Sequence, residues 1–336
     1  MADSQPTEEI DTSLTYIPPS IYHEPLLSGA SNAHFSPIPD SLLPTNPSDP
    51  STAPPCCLGV DEAGRGPVLG PMVYGVFYLP IPLSDPLLRT THHFDDSKVL
   101  TPVVRSDLMR KLCTPGTDLE TQCGWATKSL SARDIGANML KPAGAGTYNL
   151  NAQAMDATVE LIKGVYDRGV NVQEIYVDTV GPPATYQAKL QRFFPTARIT
   201  VAKKADSLYP CVSAASVCAK VTRDAALEVL YKARGDTDPE EEGMAWGSGY
   251  PSDARCTNWM KTSMHPVFGW GNECRFSWGT AKEMIEGKGT GVKVDWPVDE
   301  DPDTARMTDF FTANDGEKEV SELGTWFGTP AGLEAF

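Results

Sequence analysis

The sequence predicts an α/β fold with a functional site at the ends of its strands. In the middle of the chain, short apolar runs typical of buried strands alternate with segments of helical spacing. This strand–helix–strand order is typical of a sheet that is flanked by helices. Two acidic residues, Asp178 and Asp206, stand at or just beyond the ends of these runs. Since ligands of open α/β sheets bind beyond the carboxyl ends of the strands, these acids predict where the site lies.

Apolar periodicity predicts the individual elements. Segment 151–169 places Ala154, Leu161 and Val165 on one helical face, and Gly169 is a typical helix end. The strands are short apolar runs, and a glycine loop joins the first two of them. The predicted strands are 58–60, 72–79, 125–130, 173–179 and 197–202, and the predicted helices are 151–169, 184–194, 208–233 and 279–286.

Composition divides the chain into four regions. Residues 1–55 are rich in Pro, Ser and Thr, hold seven acids and no Lys or Arg, and are predicted to be a disordered extension. Residues 56–234 form the predicted α/β domain. Residues 235–290 form a Gly- and Trp-rich region that includes the last predicted helix, and residues 291–336 form an acidic tail with eleven acids and three bases.

The two ends of the chain carry almost all of its net charge of −16, because they contribute −7 and −8. The nearly neutral middle does not argue against a polyanionic ligand, above all where metal ions neutralise acids. No run reaches the roughly 20 apolar residues of a membrane helix, and no secretory signal opens the chain. The eight cysteines include no Cys-x-x-Cys pair. We therefore expect reduced thiols in an intracellular protein, without a membrane partner, a zinc site or a disulfide framework.

A glycine loop follows two adjacent acids in the stretch LGVDEAGRGPVLGP, residues 58–71. Glycine loops after strands usually bind phosphate through their amides, but Asp61 and Glu62 would repel an unaccompanied phosphate. The same repulsion argues against dinucleotide binding, and no acid follows at the spacing that such a site needs on its second strand.

Four acids therefore adjoin strand-like runs, and they are Asp61, Glu62, Asp178 and Asp206. A single acid in such a place most often caps a helix or pairs with a base, because an unpaired charge is costly there. For four acids at strand ends, a shared cation is the better interpretation. Oxygen donors without His or Cys suit Mg²⁺ or Mn²⁺.

Six ordered blocks between about residues 56 and 280 resemble the ribonuclease H type 2 family, most closely the catalytic subunits of its three-subunit eukaryotic members. The blocks are DEAGRGPVLGPMVYG (61–75), DDSK (95–98), VDTVG (177–181), KKAD (203–206), SAASVCAKVTRD (213–224) and GSGYPSD (247–253). The resemblance implies the ribonuclease H-like fold, a mixed β-sheet flanked by helices, with a helical carboxy-terminal region that completes the substrate site. It also implies an endonuclease that cuts the RNA strand of RNA–DNA hybrids and incises 5′ to single ribonucleotides in duplex DNA, leaving 5′-phosphate and 3′-hydroxyl ends.

The resemblance also implies the roles of individual residues. Two divalent cations, Mg²⁺ or Mn²⁺, would be held by the catalytic acids Asp61, Glu62, Asp178 and Asp206. One cation would activate the attacking water, and the other would stabilise the leaving 3′ oxygen. The ribose 2′-hydroxyl would be recognised by main-chain groups of Gly64, Arg65 and Gly66 together with Tyr250. Further contacts to phosphate or carboxylate would come from Lys98, Lys220 and Arg223, for which ordinary surface ion pairing is the alternative.

Partners and cellular role follow from the resemblance too. It implies two non-catalytic partner subunits, a nuclear location, and a role in ribonucleotide excision and in the removal of RNA primers during DNA replication. A different class of function, a non-catalytic scaffold that binds nucleic acid, would be indicated by loss of a catalytic carboxylate, and all four are present.

The acidic tail contains an apolar cluster in TARMTDFF, residues 304–311. A helical turn would place Met307, Phe310 and Phe311 on one side. The pattern resembles the short peptide by which replication and repair enzymes dock onto the sliding clamp, although Thr304 replaces the usual Gln. Packing of the segment on the partner subunits and a chance pattern in a disordered tail are the alternatives.

Overall fold

Six strands form one mixed sheet in the computed structural model, which describes residues 16–46, 48–49, 52–94, 100–141, 148–179, 181–235 and 243–287. The strands are β1 (Asn32–Phe35), β2 (Cys56–Ala63), β3 (Met72–Pro80), β4 (Gly124–Leu130), β5 (Val172–Asp178) and β6 (Arg198–Ala202). Their order across the sheet is β1-β4-β3-β2-β5-β6. Strand β2 is antiparallel to β3 and parallel to β5, and β5 is parallel to β6. The mixed sheet is thus confirmed, and three parallel strands end at one edge.

Helices cover both faces of this sheet. They are α1 (His23–Ser28), α2 (Pro102–Leu112), α3 (Asp118–Gln122), α4 (Ala132–Met139), α5 (Leu150–Tyr166), α6 (Pro183–Phe193), α7 (Ala205–Leu208), α8 (Pro210–Arg234), α9 (Ala254–Ser263) and α10 (Gly279–Ile285). Helices α9 and α10 confirm the helical carboxy-terminal region. In the part of the chain that the structure describes, no helix is long and apolar enough to span a bilayer.

The sheet has an apolar core on each face, because alternate residues of a strand point to opposite sides. In β3, Val76 and Tyr78 join the cluster that contains Leu161 of α5. Phe77, between them, joins the cluster that contains Val212 of α8. Burial on both faces explains why the central strands are almost continuously apolar in sequence.

Small residues let the backbone of α8 approach the backbone of the sheet closely. Its segment 213–219 is buried throughout. A Cβ atom on Gly75 would lie 2.5 Å from the carbonyl oxygen of Ala215, and one on Gly59 would collide with the backbone of Cys211. A larger side chain at either glycine would push α8 away from β2 and β3. The glycines therefore hold the start of α8 against the strands that carry the acids.

The prediction that residues 1–55 are a disordered extension is wrong for the part that the structure describes. Helix α1 and strand β1 form there, and β1 pairs antiparallel with β4. The carboxylate of Asp134 accepts hydrogen bonds from the amide and the hydroxyl of Ser31, and the hydroxyls of Ser20 and Thr222 lie 2.8 Å apart. These partners lie 103 and 202 residues away along the chain, so local composition could not reveal them.

Two element boundaries also differ from the prediction in ways that matter for the site. Strand β2 continues through Ala63 instead of ending at residue 60, so Asp61 and Glu62 lie inside the strand, opposite Gly75 and Tyr74 of β3. Charged residues end an apolar pattern, although here the backbone pairing continues past them. The helix predicted to begin at residue 208 begins instead at Pro210, whose missing amide is tolerated in the first turn, and the short helix α7 precedes it.

Candidate active site

The sheet topology brings the four predicted acids to one edge. Asp61 and Glu62 lie near the carboxyl end of β2, and Asp178 is the last residue of the neighbouring parallel strand β5. Asp206 lies in α7, directly after the turn that follows β6. Because β2, β5 and β6 are parallel, these positions share the same edge of the sheet.

Burial and mutual repulsion perturb the first pair of acids. Asp61 is 5% exposed and accepts a 2.7 Å hydrogen bond from the amide of Glu62. Burial raises the pKa of Asp61 well above its usual value, and the nearby charges of Glu62 and Asp178 raise it further, while a hydrogen bond from Ser216 opposes them. Burial and then Asp178 raise the pKa of Glu62 to about 7, against the lowering effect of Arg65. Such carboxylates gain most when a cation lies between them.

A strained turn places the second pair. Lys204, at the end of the turn after β6, has a left-handed backbone with φ of 58°, which is uncommon for a residue with a side chain. The turn directs the amide of Ala205 to the carboxylate of Asp178, at 2.9 Å, and leaves Asp206 only 3% exposed. The backbone beside one acid is thus tied directly to the other acid.

The donor set fits hard divalent cations. Its members are carboxylates at or just beyond the carboxyl ends of neighbouring strands, and three of them interact electrostatically with one another. Within the described ranges, no three His, Cys, Asp or Glu side chains are already gathered at metal-ligand spacing. The four acids are therefore neighbours along this edge, and their side chains are not arranged as a closed coordination shell.

The glycine loop lies next to these acids and faces Tyr250. Gly64 has φ of 77°, which only glycine adopts without strain, and a Cβ atom there would collide with Arg223. Gly66 is exposed, and a Cβ atom on it would lie 3.4 Å from the Tyr250 ring. The carbonyl oxygen of Gly249 accepts hydrogen bonds from the amides of Val68 and Leu69, at 2.9 and 3.2 Å, which holds the block containing Tyr250 against the loop. Two blocks that are far apart in sequence therefore lie side by side, with the Tyr250 ring close to Gly66.

Two residues missing from the sequence prediction hold the loop from behind. The guanidinium of Arg275, which is fully buried, donates to the carbonyl oxygens of Gly64, Arg65 and Gly70, at 2.6, 3.0 and 3.0 Å. The indole of Trp278 donates to the carbonyl oxygen of Gly66, at 3.0 Å. Neither residue belongs to a block with a recognisable pattern, so no signal in the sequence indicated this contact.

The Arg65 side chain turns toward the acids. It donates a hydrogen bond to the side-chain oxygen of Asn151 at the start of α5, and its charge lowers the pKa of Glu62. Asn151 was also missing from the predicted site. Position 151 was predicted only as the first residue of a helix, because a polar residue at a helix start is ordinarily a cap.

The predicted basic residues have different surroundings. Arg223 is 6% exposed, donates to the carbonyl oxygen of Ser248 at 3.0 Å, and lies 5.6 Å above the Tyr250 ring. Its described contacts are therefore to the protein itself. Lys220 lies near Asp224, whose pKa it lowers against the larger effect of burial. Lys98 and the tail motif lie outside the described residues.

Comparison with known proteins agrees with this geometry. The family model of ribonuclease HII matches residues 58–281, which include all four acids, the glycine loop, Tyr250, Arg275 and Trp278. The chain belongs to the ribonuclease HII family. It is 62% identical over 338 residues, with full coverage of both chains, to the A subunit of ribonuclease H2 from Neurospora crassa. Membership makes it a ribonuclease H enzyme of the ribonuclease H2 catalytic-subunit type.

Solved structures of the family confirm the ribonuclease H-like fold. Ribonuclease H2 from Pyrococcus horikoshii OT3 is 29% identical with a TM-score of 0.56, and the match covers 69% of this chain and 97% of that one. The ribonuclease HII of the PCNA:RNase HII complex from Archaeoglobus fulgidus is 25% identical with a TM-score of 0.54 and the same coverage. Both matches cover almost the whole of the smaller archaeal chains. The shared part is therefore the catalytic unit.

Proposed function

We propose that this enzyme is an endonuclease that cuts the RNA strand of RNA–DNA hybrids and incises duplex DNA 5′ to single ribonucleotides. The products would carry 5′-phosphate and 3′-hydroxyl ends. The observation that supports this proposal most is that the strand carrying Asp61 and Glu62 runs directly into the glycine loop, whose exposed Gly66 lies close to the Tyr250 ring. A sugar held against Gly66 and Tyr250 would present its adjacent phosphate to the acids.

The proposed cofactor is a pair of divalent cations, Mg²⁺ or Mn²⁺, held by Asp61, Glu62, Asp178 and Asp206. Bound there, the cations would lower the pKa of the attacking water and neutralise charge at the scissile phosphate. The protein's own part is to keep the acids ionised and aimed. The guanidinium of Arg65 favours the ionised form of Glu62, and the Ala205 amide fixes one oxygen of Asp178.

Sugar recognition falls to the glycine loop and Tyr250. Both Gly66 and Tyr250 are exposed, and Tyr250 is 38% exposed. Main-chain amides can hydrogen-bond a 2′-hydroxyl, and an aromatic ring can pack against the sugar that carries it. A methyl group at Gly66 would lie 3.4 Å from the Tyr250 ring, so the glycine keeps this exposed surface free of a side chain.

The alternative of a non-catalytic scaffold is disfavoured by the same edge of the sheet. A scaffold would have no need to bury Asp61 and Asp206 beside other acids, because burial of charge lowers stability unless a function requires it. Perturbed carboxylates in a cleft are instead typical of catalytic sites.

We further propose that the chain works in a heterotrimer with two non-catalytic subunits, in the nucleus, in ribonucleotide excision and primer removal. The Neurospora relative is one lettered subunit of its enzyme, which supports a heteromeric assembly. The Archaeoglobus structure is a complex of ribonuclease HII with PCNA, which supports docking of the tail residues Met307, Phe310 and Phe311 onto a sliding clamp. Titration of a peptide covering residues 298–316 against the clamp, beside a Phe310→Ala/Phe311→Ala peptide, tests this. Failure of the unmutated peptide to bind would favour contact with the partner subunits.

The decisive experiment for the activity uses a labelled DNA duplex with one ribonucleotide, an RNA–DNA hybrid and an all-DNA duplex. The full-length chain, assembled with its partner subunits, should cut the first two only when Mg²⁺ or Mn²⁺ is added. End analysis should find a 3′-hydroxyl on the fragment before the ribonucleotide. Cleavage of all three substrates at equal rates, or none with either metal, would overturn the proposal.

A further inference from the structure

The recognition loop is held through its carbonyl groups. Three successive carbonyl oxygens, those of Gly64, Arg65 and Gly66, accept hydrogen bonds from only two side chains, Arg275 and Trp278. Both donors come from one short segment between α9 and α10. Such complete use of consecutive carbonyls outside regular secondary structure requires a dedicated partner, because a loop ordinarily leaves these groups to water.

Because the peptides are planar and trans, the direction of each carbonyl fixes the direction of the amide that follows it. The described part of the chain has no cis peptide bond. In a trans peptide the carbonyl and the amide point in opposite directions. Because the carbonyls of Gly64 and Arg65 face the guanidinium of Arg275, the amides of Arg65 and Gly66 face away from it. These two amides donate no hydrogen bond within the described residues.

The peptide after Gly66 has a different role. Its nitrogen belongs to Pro67, which carries no hydrogen, so this peptide offers the substrate no donor. The indole of Trp278 holds its carbonyl and thereby fixes where Gly66 lies. Since Gly66 lies close to the Tyr250 ring, this hydrogen bond sets where Gly66 lies relative to that ring.

The two donors are themselves firmly placed. The Arg275 guanidinium lies 4.7 Å from the centre of the Trp278 ring, and the Arg275 amide donates to the carbonyl oxygen of Val68 at 2.9 Å. An isolated β-bridge joins Leu69 to Cys274. The segment is therefore attached to the chain on the far side of the loop as well, so a shift of Trp278 would move the loop with it.

We propose that Trp278 and Arg275 are positioning residues that set the enzyme's discrimination for the ribose 2′-hydroxyl, by holding the Gly64–Gly66 peptides with their amides toward the sugar. The proposal rests on the cleavage of ribonucleotide-containing duplexes proposed above. It separates sugar selectivity from the acids, since neither residue touches a carboxylate in its described contacts.

Trp278→Phe tests this with little disturbance, because it removes the indole N–H and keeps an aromatic ring on Arg275. The chain supplies a matched control in Trp270→Phe, since the Trp270 indole also donates to a carbonyl oxygen, that of Met260, at 2.9 Å and away from the loop. The steady-state kcat and KM of both variants would be measured on the single-ribonucleotide duplex and on a long RNA–DNA hybrid. Without divalent cations, the Kd values for the single-ribonucleotide and all-DNA duplexes would be compared.

For Trp278→Phe we expect kcat/KM on the single ribonucleotide to fall about five- to tenfold more than on the hybrid, the change that one ordinary hydrogen bond gives. The Kd preference for the ribonucleotide duplex should shrink by a similar factor, whereas Trp270→Phe should keep both ratios. Arg275→Lys, if it folds, should shift the ratios in the same direction and further.

Equal losses on both substrates, or an unchanged Kd preference in Trp278→Phe, would overturn this inference and leave the proposed function standing. A wild-type enzyme that does not distinguish the ribonucleotide duplex from all-DNA duplex would overturn the proposed function, and this inference with it.

Discussion

The edge of the sheet that carries the acids and the glycine loop beside it solve opposite physical problems. At the edge, Asp61, Glu62 and Asp178 repel one another while partly removed from water. In the loop, each carbonyl from Gly64 to Gly66 has a donor, and all three nitrogens of the buried Arg275 guanidinium donate to carbonyl oxygens. On the proposed roles, catalysis would use charges that destabilise the fold, whereas specificity would use a backbone that the fold satisfies. Changes at the two regions should therefore have different consequences.

The largest expected effect is the loss of an acid from the edge. Asp178→Asn keeps the shape and can still accept from the Ala205 amide, but it removes a charge that the cations need. Activity should fall by at least about a thousandfold, as is typical for a group that acts within a concerted site. Affinity for the RNA–DNA hybrid should change little. Single-turnover rates and a binding titration measure the two effects.

The matched control is Asp167→Asn, which changes an exposed acid at the carboxyl end of α5. It should retain wild-type rates. If Asp178→Asn turned over nearly as fast as this control, the edge would not be the catalytic centre.

The second effect concerns Gly66, which lies beside Tyr250. Gly66→Ala would place a methyl group 3.4 Å from the Tyr250 ring, on the surface proposed to receive the sugar. We expect a loss of about a hundredfold on a single ribonucleotide, the scale of a small misplacement at a reacting centre. Tyr250→Ala should also remove most of this activity, with a smaller loss on a long hybrid, which offers many registers.

Gly136→Ala in α4 provides the comparison, because a Cβ atom there meets no heavy atom within 4 Å. That variant should be fully active, and at least as stable as the wild type, since alanine is favoured over glycine within a helix. Equal losses from Tyr250→Ala on both substrates would assign the ring a structural role only.

The third expected effect is a mutation that raises the free energy of unfolding, whereas most mutations lower it. Burial raises the pKa of Glu62 from 4.5 to about 7 in the folded protein, so the folded state binds this proton more tightly than the unfolded state. Its contribution to stability is therefore complete below about pH 4.5 and is lost as the pH rises to about 7. In metal-free buffer, Glu62→Gln should remove this loss. The free energy of unfolding of the variant minus that of the wild type should therefore be on the order of 2 kcal/mol higher at pH 8 than at pH 4.5.

Urea unfolding of both proteins at the two pH values measures this double difference. The exposed Glu283→Gln on α10 serves as the control, and its double difference should be near zero. A Glu62→Gln variant that gains nothing at pH 8 would mean that the edge is not under electrostatic strain, which would break the contrast with the loop.

The sequence predicted the edge far better than the loop's support, and the reason is physical. Acids beside apolar runs violate the hydrophobic pattern, so Asp61 and Asp178 stood out from their surroundings. Arg275 and Trp278 act only through backbone carbonyls that lie more than 200 residues away along the chain, and no local pattern encodes such a contact. The folded arm around β1 was missed for the same reason, because its partner β4 lies far away in sequence.

The ends of the helices and strands show the same difference between local and long-range signals. The predicted strand at 197–202 and helix at 151–169 closely match β6 and α5, since their periodicity is local. The extension of β2 through Asp61 and Glu62 was not predicted, because pairing with β3 outweighs the preference of charged residues for strand ends.

The smallest expected effect compares the two left-handed turns of the site, one in each region. The loop uses Gly64, for which this backbone is free of strain, whereas the edge uses Lys204 at φ of 58°. Lys204→Gly relieves strain but adds freedom to the unfolded chain, so the free energy of unfolding should change by less than about 1 kcal/mol. Lys204→Val should lower it by about 1–2 kcal/mol, because a β-branched residue is poorly tolerated there. Thermal and urea unfolding of the two variants measure this difference, and a valine variant as stable as the glycine variant would mean that the turn is not fixed in the left-handed conformation.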